Sequence, residues 1–406
     1  MISVMMPRPL LCCAVLLLFL TSSSASSTTP ATVFSYEVKV CVRNEGARPL
    51  DVKTAIPFLP LFPNTTWQTA LVLNAFHPLM EIISDEDGNP GLLLNVSVIL
   101  EPGENLTLAA ECKIISKYRE PPNVISEQSG RVSDIPEQLA SEFCCEAGCW
   151  TINFKPLREL AFNLTGGERN VLKVISSFII WIYENVAYYP FETPLYPNET
   201  YVNKMGAYDD QVNLLITLCR IVGIPAYLQI GYVFVPNHQD ELLIGAGHMR
   251  WKLTNICWHA WAVAYVPPWG WLPIDLTVIG GAVIDPLDVI RKALIWDQHT
   301  LLLAEIKHID YVAAAREAVE FLGKHGIYIY REERLDFWKG EEDILAVLWP
   351  FLMASSVMLP LSFIAVLMAM RLRRRSGGGR PSGRASLTRP AYPAGIGLLY
   401  TSSHIG

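Results

Sequence analysis

From Leu345 to Met370 the sequence contains no charged residue. An apolar run of that length exceeds the ~20 residues that a helix rising about 1.5 Å per residue needs to cross a hydrocarbon core of about 30 Å. Residues 345–370 therefore read as one transmembrane helix, and that reading decides how the remainder must be organised. Pro350 and Pro360 fall inside the run; they would be costly in a soluble helix but are tolerated in a membrane span. Arg371, Arg373, Arg374 and Arg375 follow it, while Glu341, Glu342 and Asp343 precede it. An excess of Arg on one side orients such a helix with that side in the cytoplasm, so the amino-terminal bulk is expected outside the cell membrane. The amino terminus agrees. Arg8, the apolar stretch Leu10 to Leu20 and the small residues Thr21 to Ser26 have the layout of a cleavable signal peptide, 1–26, and the apolar stretch is too short for a span.

Charge narrows the partners. The chain carries a net charge of −7, and seven Arg lie in the tail 371–406, which has no acidic residue and no hydrophobic period. That composition describes a disordered basic cytoplasmic tail suited to anionic lipid headgroups. Without those seven Arg the rest stands at −14, which excludes nucleic acid as a partner of the outer part. The expected partner surfaces are the membrane, crossed once, and an extracellular protein or peptide.

Outside the signal the cysteines are Cys41, Cys112, Cys144, Cys145, Cys149, Cys219 and Cys257. An exported protein can pair such residues, although the number is odd. Cys144, Cys145 and Cys149 form a cluster open to disulfide pairing or to metal, but no second pair of Cys or His at ligand spacing accompanies them, so no metal site and no cofactor are expected. Glycosylation triplets occur at Asn64, Asn95, Asn105, Asn163 and Asn198, all on the expected outer side.

Apolar residues alternate with polar ones at Phe34, Tyr36, Val38, Val40 and Val42, and again from Leu106 to Ile114, which is the period of a half-buried strand. Asp87, Gly88, Asn89, Pro90 and Gly91 mark a tight turn between them. Residues 32–118 thus read as an amino-terminal β-sandwich, with 119–164 as linker and lead-in containing the Cys cluster. Arg169 to Asn185 and Asn213 to Val222 have apolar residues at helical spacing. Gly223 and Pro225 close the second helix, and Ala226 to Val235 reads as a strand. Ile256 to Val266 and Trp271 to Val278 are strands joined by the turn Pro267, Pro268, Trp269, Gly270. Residues 301–343 are expected to form a helical stalk.

In that hairpin His259 and Asp275 are equally spaced about residue 267. Opposed residues share a face with Cβ atoms about 5 Å apart, so the imidazole and carboxylate can hydrogen-bond. In thiol hydrolases such a pairing orients the ring and supports the imidazolium; a buried His satisfied by a neighbouring acid is the other reading of the same spacing.

Three segments carry a resemblance: Gly206 to Asp210 continuing through Cys219, Arg220 and Gly223-Ile224-Pro225-Ala226 to Gly231 and Tyr232; Trp258-His259-Ala260-Trp261; and Gly270, Trp271, Pro273 to Thr277. Together they resemble the motifs of the transglutaminase-like, papain-related superfamily, over residues 165–300. The resemblance implies a transglutaminase-like α+β core; with the β-sandwich, stalk and one carboxyl-terminal transmembrane helix read above, the expected fold class is α+β. It also implies a Cys, His, Asp triad. His259 and Asp275 match the last two positions, but the nucleophile position, twelve residues before Arg220, holds Tyr208. A second departure is Val263, where the family often has Glu. A phenol with reference pKa near 10 is a poor substitute for a thiol at a helix amino terminus. Cys219 lies about 16 Å further along the same helix, and Cys257 shares the strand face of His259, so that couple would be a new arrangement. Trp251, Trp258, Trp261, Trp269 and Trp271 crowd the same stretch, as core or as the lining of a groove for an extended peptide. Two functions follow from the resemblance. One is a non-catalytic binding or structural relative in which Tyr208 is inert; the other is an active acyl transferase or peptidase using an unorthodox nucleophile.

Overall fold

The period-two patterning of Phe34 to Val42 buries those side chains on one face of the first strand. The computed structural model describes residues 31–56, 58–75, 80–94, 97–277, 285–296 and 299–339. The expected signal peptide 1–26, transmembrane helix 345–370, tail 371–406 and the Asn95 triplet lie outside the described residues. Among the described residues no helix is long and apolar enough to cross a membrane.

Eight strands form the main sheet: β1 (Ala31–Asn44), β2 (Gln68–Ala75), β3 (Asn105–Lys117), β4 (Ala226–Ile244), β5 (Met249–Val266), β6 (Gly270–Ile274), β7 (Thr300–Ile306) and β8 (Ile327–Phe337). Their order is β7-β4-β5-β8-β1-β3-β2, with β6 paired to β5. The helices used below are α1 (Glu137–Phe143), α2 (Lys155–Thr165), α3 (Val171–Asn185), α4 (Pro197–Asn203), α5 (Tyr208–Ile221), α6 (Asp288–Trp296) and α7 (Tyr311–His325).

Two cores lie along the sheet. One unites α3 and α5 with Ala226, Leu228, Ala260, Ala262 and Ala264 of the hairpin strands. The small side chains let the helices approach the sheet closely. In α3, Leu172, Ile175, Phe178, Ile179 and Ile182 are fully buried, each stabilising the fold by about 1.5–3 kcal/mol relative to exposure. α5 is buried nearly all round: Val212, Leu214, Leu215, Ile216 and Leu218 are enclosed, and so are the polar Asp210, Asn213, Thr217 and Arg220. It ends where Gly223 takes φ +83°, a conformation that costs glycine little.

The second core lies between β1, β3 and β8 and a small sheet made of Leu59–Pro60, Pro90–Leu94 and Met80–Ser84. The amino-terminal region is strand-rich, but it does not close on itself near residue 118. β1 pairs with β8 from Phe34 opposite Phe337 to Asn44 opposite Ile327, and β8 pairs in parallel with β5. The amino-terminal strands and the following core therefore share one sheet.

The helical stalk expected over 301–343 is corrected by the same strand: residues 300–337 are β7, α7 and β8. Two features conceal this in the sequence. The short apolar run Leu301 to Leu303 fits strand and buried helix equally. In β8 the inward positions continue from Ile327 and Ile329 to Arg331 and Glu333, which pair with each other, and Glu333 is only 2 % exposed. Charged residues at inward positions erase the period-two signal.

The turn expected at Asp87 also holds the two cores together. Its carboxylate, shielded from solvent, accepts backbone N–H groups of Lys307 at 2.8 Å, His308 at 3.0 Å and Ile309 at 3.2 Å. Asn89 adds a two-way bond to the Glu305 backbone at 2.8 and 2.7 Å. Asp87→Ala leaves those donors unpaired and should destabilise the protein by about 3 kcal/mol in urea unfolding, whereas the neighbouring exposed Glu86→Ala should change stability little.

Candidate active site

Irregular pairing of β5 positions the site. One edge of β5 is shared between β8, along Met249–Thr254, and β6, along Ala262–Val266. Residues 255–261 between them have no strand on that edge among the described residues. On the other edge, Phe234 of β4 faces Ile256 and Gln239 faces Thr254, so four residues of β4 are matched by Asn255 alone. Asn237 and Asn255 absorb the irregularity with φ of 64° and 58°, and the Asn237 N–H donates to Asn255 Oδ1 at 2.9 Å; Asn tolerates that left-handed conformation better than most residues. The phase of β5 changes there, since Leu253 and Ile256 are both buried. A one-residue slip exchanges the faces of every later side chain. His259 consequently joins Cys257, Trp261 and Val263 on the face away from α5's apolar packing partners Ala260 and Ala262.

The His259 to Asp275 contact expected from spacing is present, with Nε2 2.6 Å from Oδ2. Its register differs by one step. Val266 faces Gly270 and Ala262 faces Ile274, which centres the hairpin on residue 268 rather than 267. By extension Asp275 is level with Trp261, and Thr277 is level with His259. An offset of two residues preserves the face, so the side chains still meet. Thr277 completes the arrangement: its N–H and hydroxyl both donate to Asp275 Oδ1, at 2.9 and 2.8 Å. Burial, with Asp275 7 % exposed, pushes its carboxyl up, but the hydrogen bonds and charge of His259 together with Thr277 outweigh this and hold it below the usual value. Facing an ionised Asp275, a neutral His259 donates from Nε2 and keeps its free lone pair on Nδ1.

Tyr208 is the first residue of α5, and its ring centroid lies 5.7 Å from that of His259. The helix start is fastened by Asp210, whose carboxylate accepts from the Ala207 N–H at 2.8 Å and the Leu195 N–H at 2.7 Å. Gly206 is required here, because a Cβ on it would come within 2.7 Å of the Asp210 Cβ. Burial pushes the Asp209 and Asp210 carboxyls up. It also pushes the Tyr208 hydroxyl far up, and Asp209, Tyr188, Cys257 and Asp240 add to the effect. Tyr208 is therefore a neutral phenol at neutral pH.

Burial raises the thiols of both cysteines considered for this site. Cys219, 1 % exposed, sits at the other end of α5 with its thiol raised by burial. Cys257 is exposed on the His259 face, but burial of the thiol and Asp240 raise its pKa as well, which lowers its thiolate fraction. The described residues contain no group of three or more His, Cys, Asp or Glu side chains arranged to hold a metal.

Two supports escape a reading of the sequence. Gly231 stands directly opposite His259, where a Cβ would come within 2.1 Å of the Leu301 carbonyl and 2.8 Å of the Trp261 ring. Trp261 covers it, donates Nε1–H to Gln229 Oε1 at 2.8 Å, and lies nearly parallel to the His259 ring with centroids 6.1 Å apart. Gly231 and Trp261 belong to the motif segments, yet the close approach depends on a cross-strand register that spacing alone leaves open. The five tryptophans do not converge on one groove. Trp261 and Trp271 pack with Phe143 and Tyr227, Trp251 with the amino-terminal core and Trp269 with the helical core. Trp258 touches both of the latter.

Asp275 has a depressed folded pKa, so its stabilising contribution is complete above the unfolded value of ~3.9 and is lost as pH falls through the folded value. Urea midpoints measured from pH 2 to 6 should show a shallower acid decline in Asp275→Asn than in the unmodified protein. Identical acid limbs would contradict the ion pair.

Residues 158–276 match the family model described as the transglutaminase-like superfamily. Among solved structures the chain is similar to a candidate cysteine protease from Cytophaga hutchinsonii, at 18 % identity over 77 % of this chain and 93 % of that one, with TM-score 0.48. It is also similar to the periplasmic domain of TgpA from Pseudomonas aeruginosa, at 14 % identity over 66 % and 92 % of the two chains, with TM-score 0.29. No curated protein matches the sequence. Family match, motif order and the His259–Asp275 geometry agree that this chain carries a transglutaminase-like domain over residues 158–276.

Proposed function

We propose that the protein is an exported, membrane-anchored transglutaminase-like protein that binds rather than transforms its ligand, with Tyr208 filling the place of the nucleophilic thiol. The observation that carries this reading is Tyr208 at the first position of α5 beside His259. Acyl transfer of the thiol type needs a nucleophile largely ionised near neutral pH and in reach of the imidazole. A phenol starts about three units too high, and burial with Asp209 beside it moves Tyr208 further away.

The wider arrangement supports the same reading. The uncharged run 345–370 with Arg on its far side supports a single span with the domain outside. The two-layer packing of the amino-terminal strands supports a sandwich, one layer of which is shared with the following core. The bound partner proposed is an extracellular protein or peptide. A second reading, catalysis through an unorthodox nucleophile, is favoured by the intact His259, Asp275 and Thr277 arrangement.

Two experiments test these readings. The purified outer part, incubated with glutamine-donor and peptide substrates and with a cysteine-directed probe, should show no turnover, while Tyr208→Cys should gain probe labelling at position 208. Turnover that disappears in Tyr208→Phe or Cys257→Ala would establish the catalytic reading instead. For topology, protease added to intact cells should remove the outer part and leave an epitope fused after Gly406; loss of the epitope would reverse the orientation.

A further inference from the structure

The first and last strands of the main sheet bring their outer ends to one rim. Ala31 stands opposite Lys117, and the Trp338 N–H donates to the Val33 carbonyl at 2.8 Å. The start of β1, the end of β3 and the residue after β8 therefore lie side by side. The Lys117 N–H donates in turn to the Trp67 carbonyl at 2.8 Å, which adds the start of β2 to the same rim.

This rim is aromatic and basic. Phe337 is 51 % exposed although its ring stacks on that of Phe34, and Tyr118 is exposed as well. Leu71 of β2, opposite Lys113, is 47 % exposed. Lys113 Nζ lies 4.7 Å from the centre of the Trp338 ring, and the Arg119 guanidinium lies 3.9 Å from that of Trp67. Lys117 is exposed beside them. Two carboxylates are close: the exposed Glu120, and Asp336, which accepts from Arg334 and from Asn255 Nδ2. Lys113, Lys117 and Arg119 outnumber these acids in an otherwise acidic outer part.

We propose that this rim is a lipid-contacting surface, which seats the domain on the outer face of the membrane that carries it. The inference rests on the single span proposed above. From Trp338 to Leu345, where that span begins, the chain advances seven residues, which reach at most about 25 Å when fully extended. The rim from which the chain leaves is thus kept within that distance of the bilayer. The other end of β8, at Ile327, is ten residues back from Phe337, about 33 Å along the strand. Composition fits the place. Aromatic side chains sit at the level of the headgroups, and Lys and Arg extend from there to phosphate oxygens. The Lys113–Trp338 and Arg119–Trp67 pairs hold cation and ring together on one side. Phe337, Tyr118 and Leu71 gain by leaving water for the interface.

Photocrosslinking to lipid tests this. The full chain is reconstituted in vesicles of phosphatidylcholine and phosphatidylglycerol with p-benzoylphenylalanine in place of Phe337, Tyr118 or Leu243. Leu243 is the control: it is 57 % exposed, but it pairs with Arg250, which faces Tyr330 near the start of β8. After irradiation, mass spectrometry should find lipid adducts at positions 337 and 118 and none at 243. Lys117→Gln should cut the yield at position 337 about fivefold. Absence of adducts at both rim positions, or equal yields at all three positions, overturns the proposal. Should the change at Phe337 disturb the fold, position 118 decides. Alkaline carbonate extraction of the same vesicles separates this proposal from the anchoring on which it rests. A chain that stays in the membrane without rim adducts refutes the rim alone, whereas a chain that is extracted refutes the span and the rim with it.

Discussion

Backbone hydrogen bonding along β8 is the constraint on which the rest of the molecule depends. It is the last strand of the described chain, and it lies in the sheet between the first strand and the hairpin that carries His259. Along β1 it is antiparallel over eleven residue pairs, and along β5 it is parallel. Each of its peptide groups inside this arrangement is satisfied from both sides, which a buried backbone requires. Removing it would expose the edges of β1 and β5 together. It also brings Arg331 and Glu333 into an apolar core, where the guanidinium lies 4.9 Å from the centroid of Trp251. A buried ion pair adds little net stability, but losing one partner leaves a costly uncompensated charge.

The limits of β8 also shape the candidate site. Its pairing with β5 stops at Thr254, and β6 takes over only at Ala262. His259 lies in the interval, next to a strand edge that no strand among the described residues pairs, and after the irregularity at Asn255. Regular pairing would have satisfied the backbone and turned the imidazole to the other face. Asp275, Thr277, Trp261 and Gly231 then fix the ring from several sides. The arrangement has the geometry of a supported imidazole with a neutral phenol beside it.

Burial decides the chemistry of the other reactive groups. The thiols of Cys112, Cys144, Cys149 and Cys219 are all pushed up because a thiolate in an apolar environment loses its hydration. Asp209 and Asp210, at the start of α5, respond in the same direction. Asp275 is the exception, since three hydrogen bonds converge on its carboxylate. Among these groups only the one that orients His259 is kept readily ionised.

Local chemistry determined much of this protein through the sequence alone. Period-two alternation marks β1 and β3, helical spacing marks α3 and α5, Gly223 and Pro225 mark where α5 stops, and hairpin spacing brings His259 to Asp275, because each depends on residues near one another in the chain. The motif order was equally legible, as was Tyr208 at the start of α5. Tertiary structure decided what depends on distant partners. Within residues 300–337, β7 and β8 joined the sheet where a helical stalk was expected; in β8 an inward Arg331–Glu333 pair hides the strand period, and its hydrogen-bonding edges are supplied by the distant β1 and β5. The phase of β5 at Asn255, the room that Gly231 leaves for Trp261 and the separation of five neighbouring tryptophans among different cores are likewise set by register and packing, which no local pattern encodes.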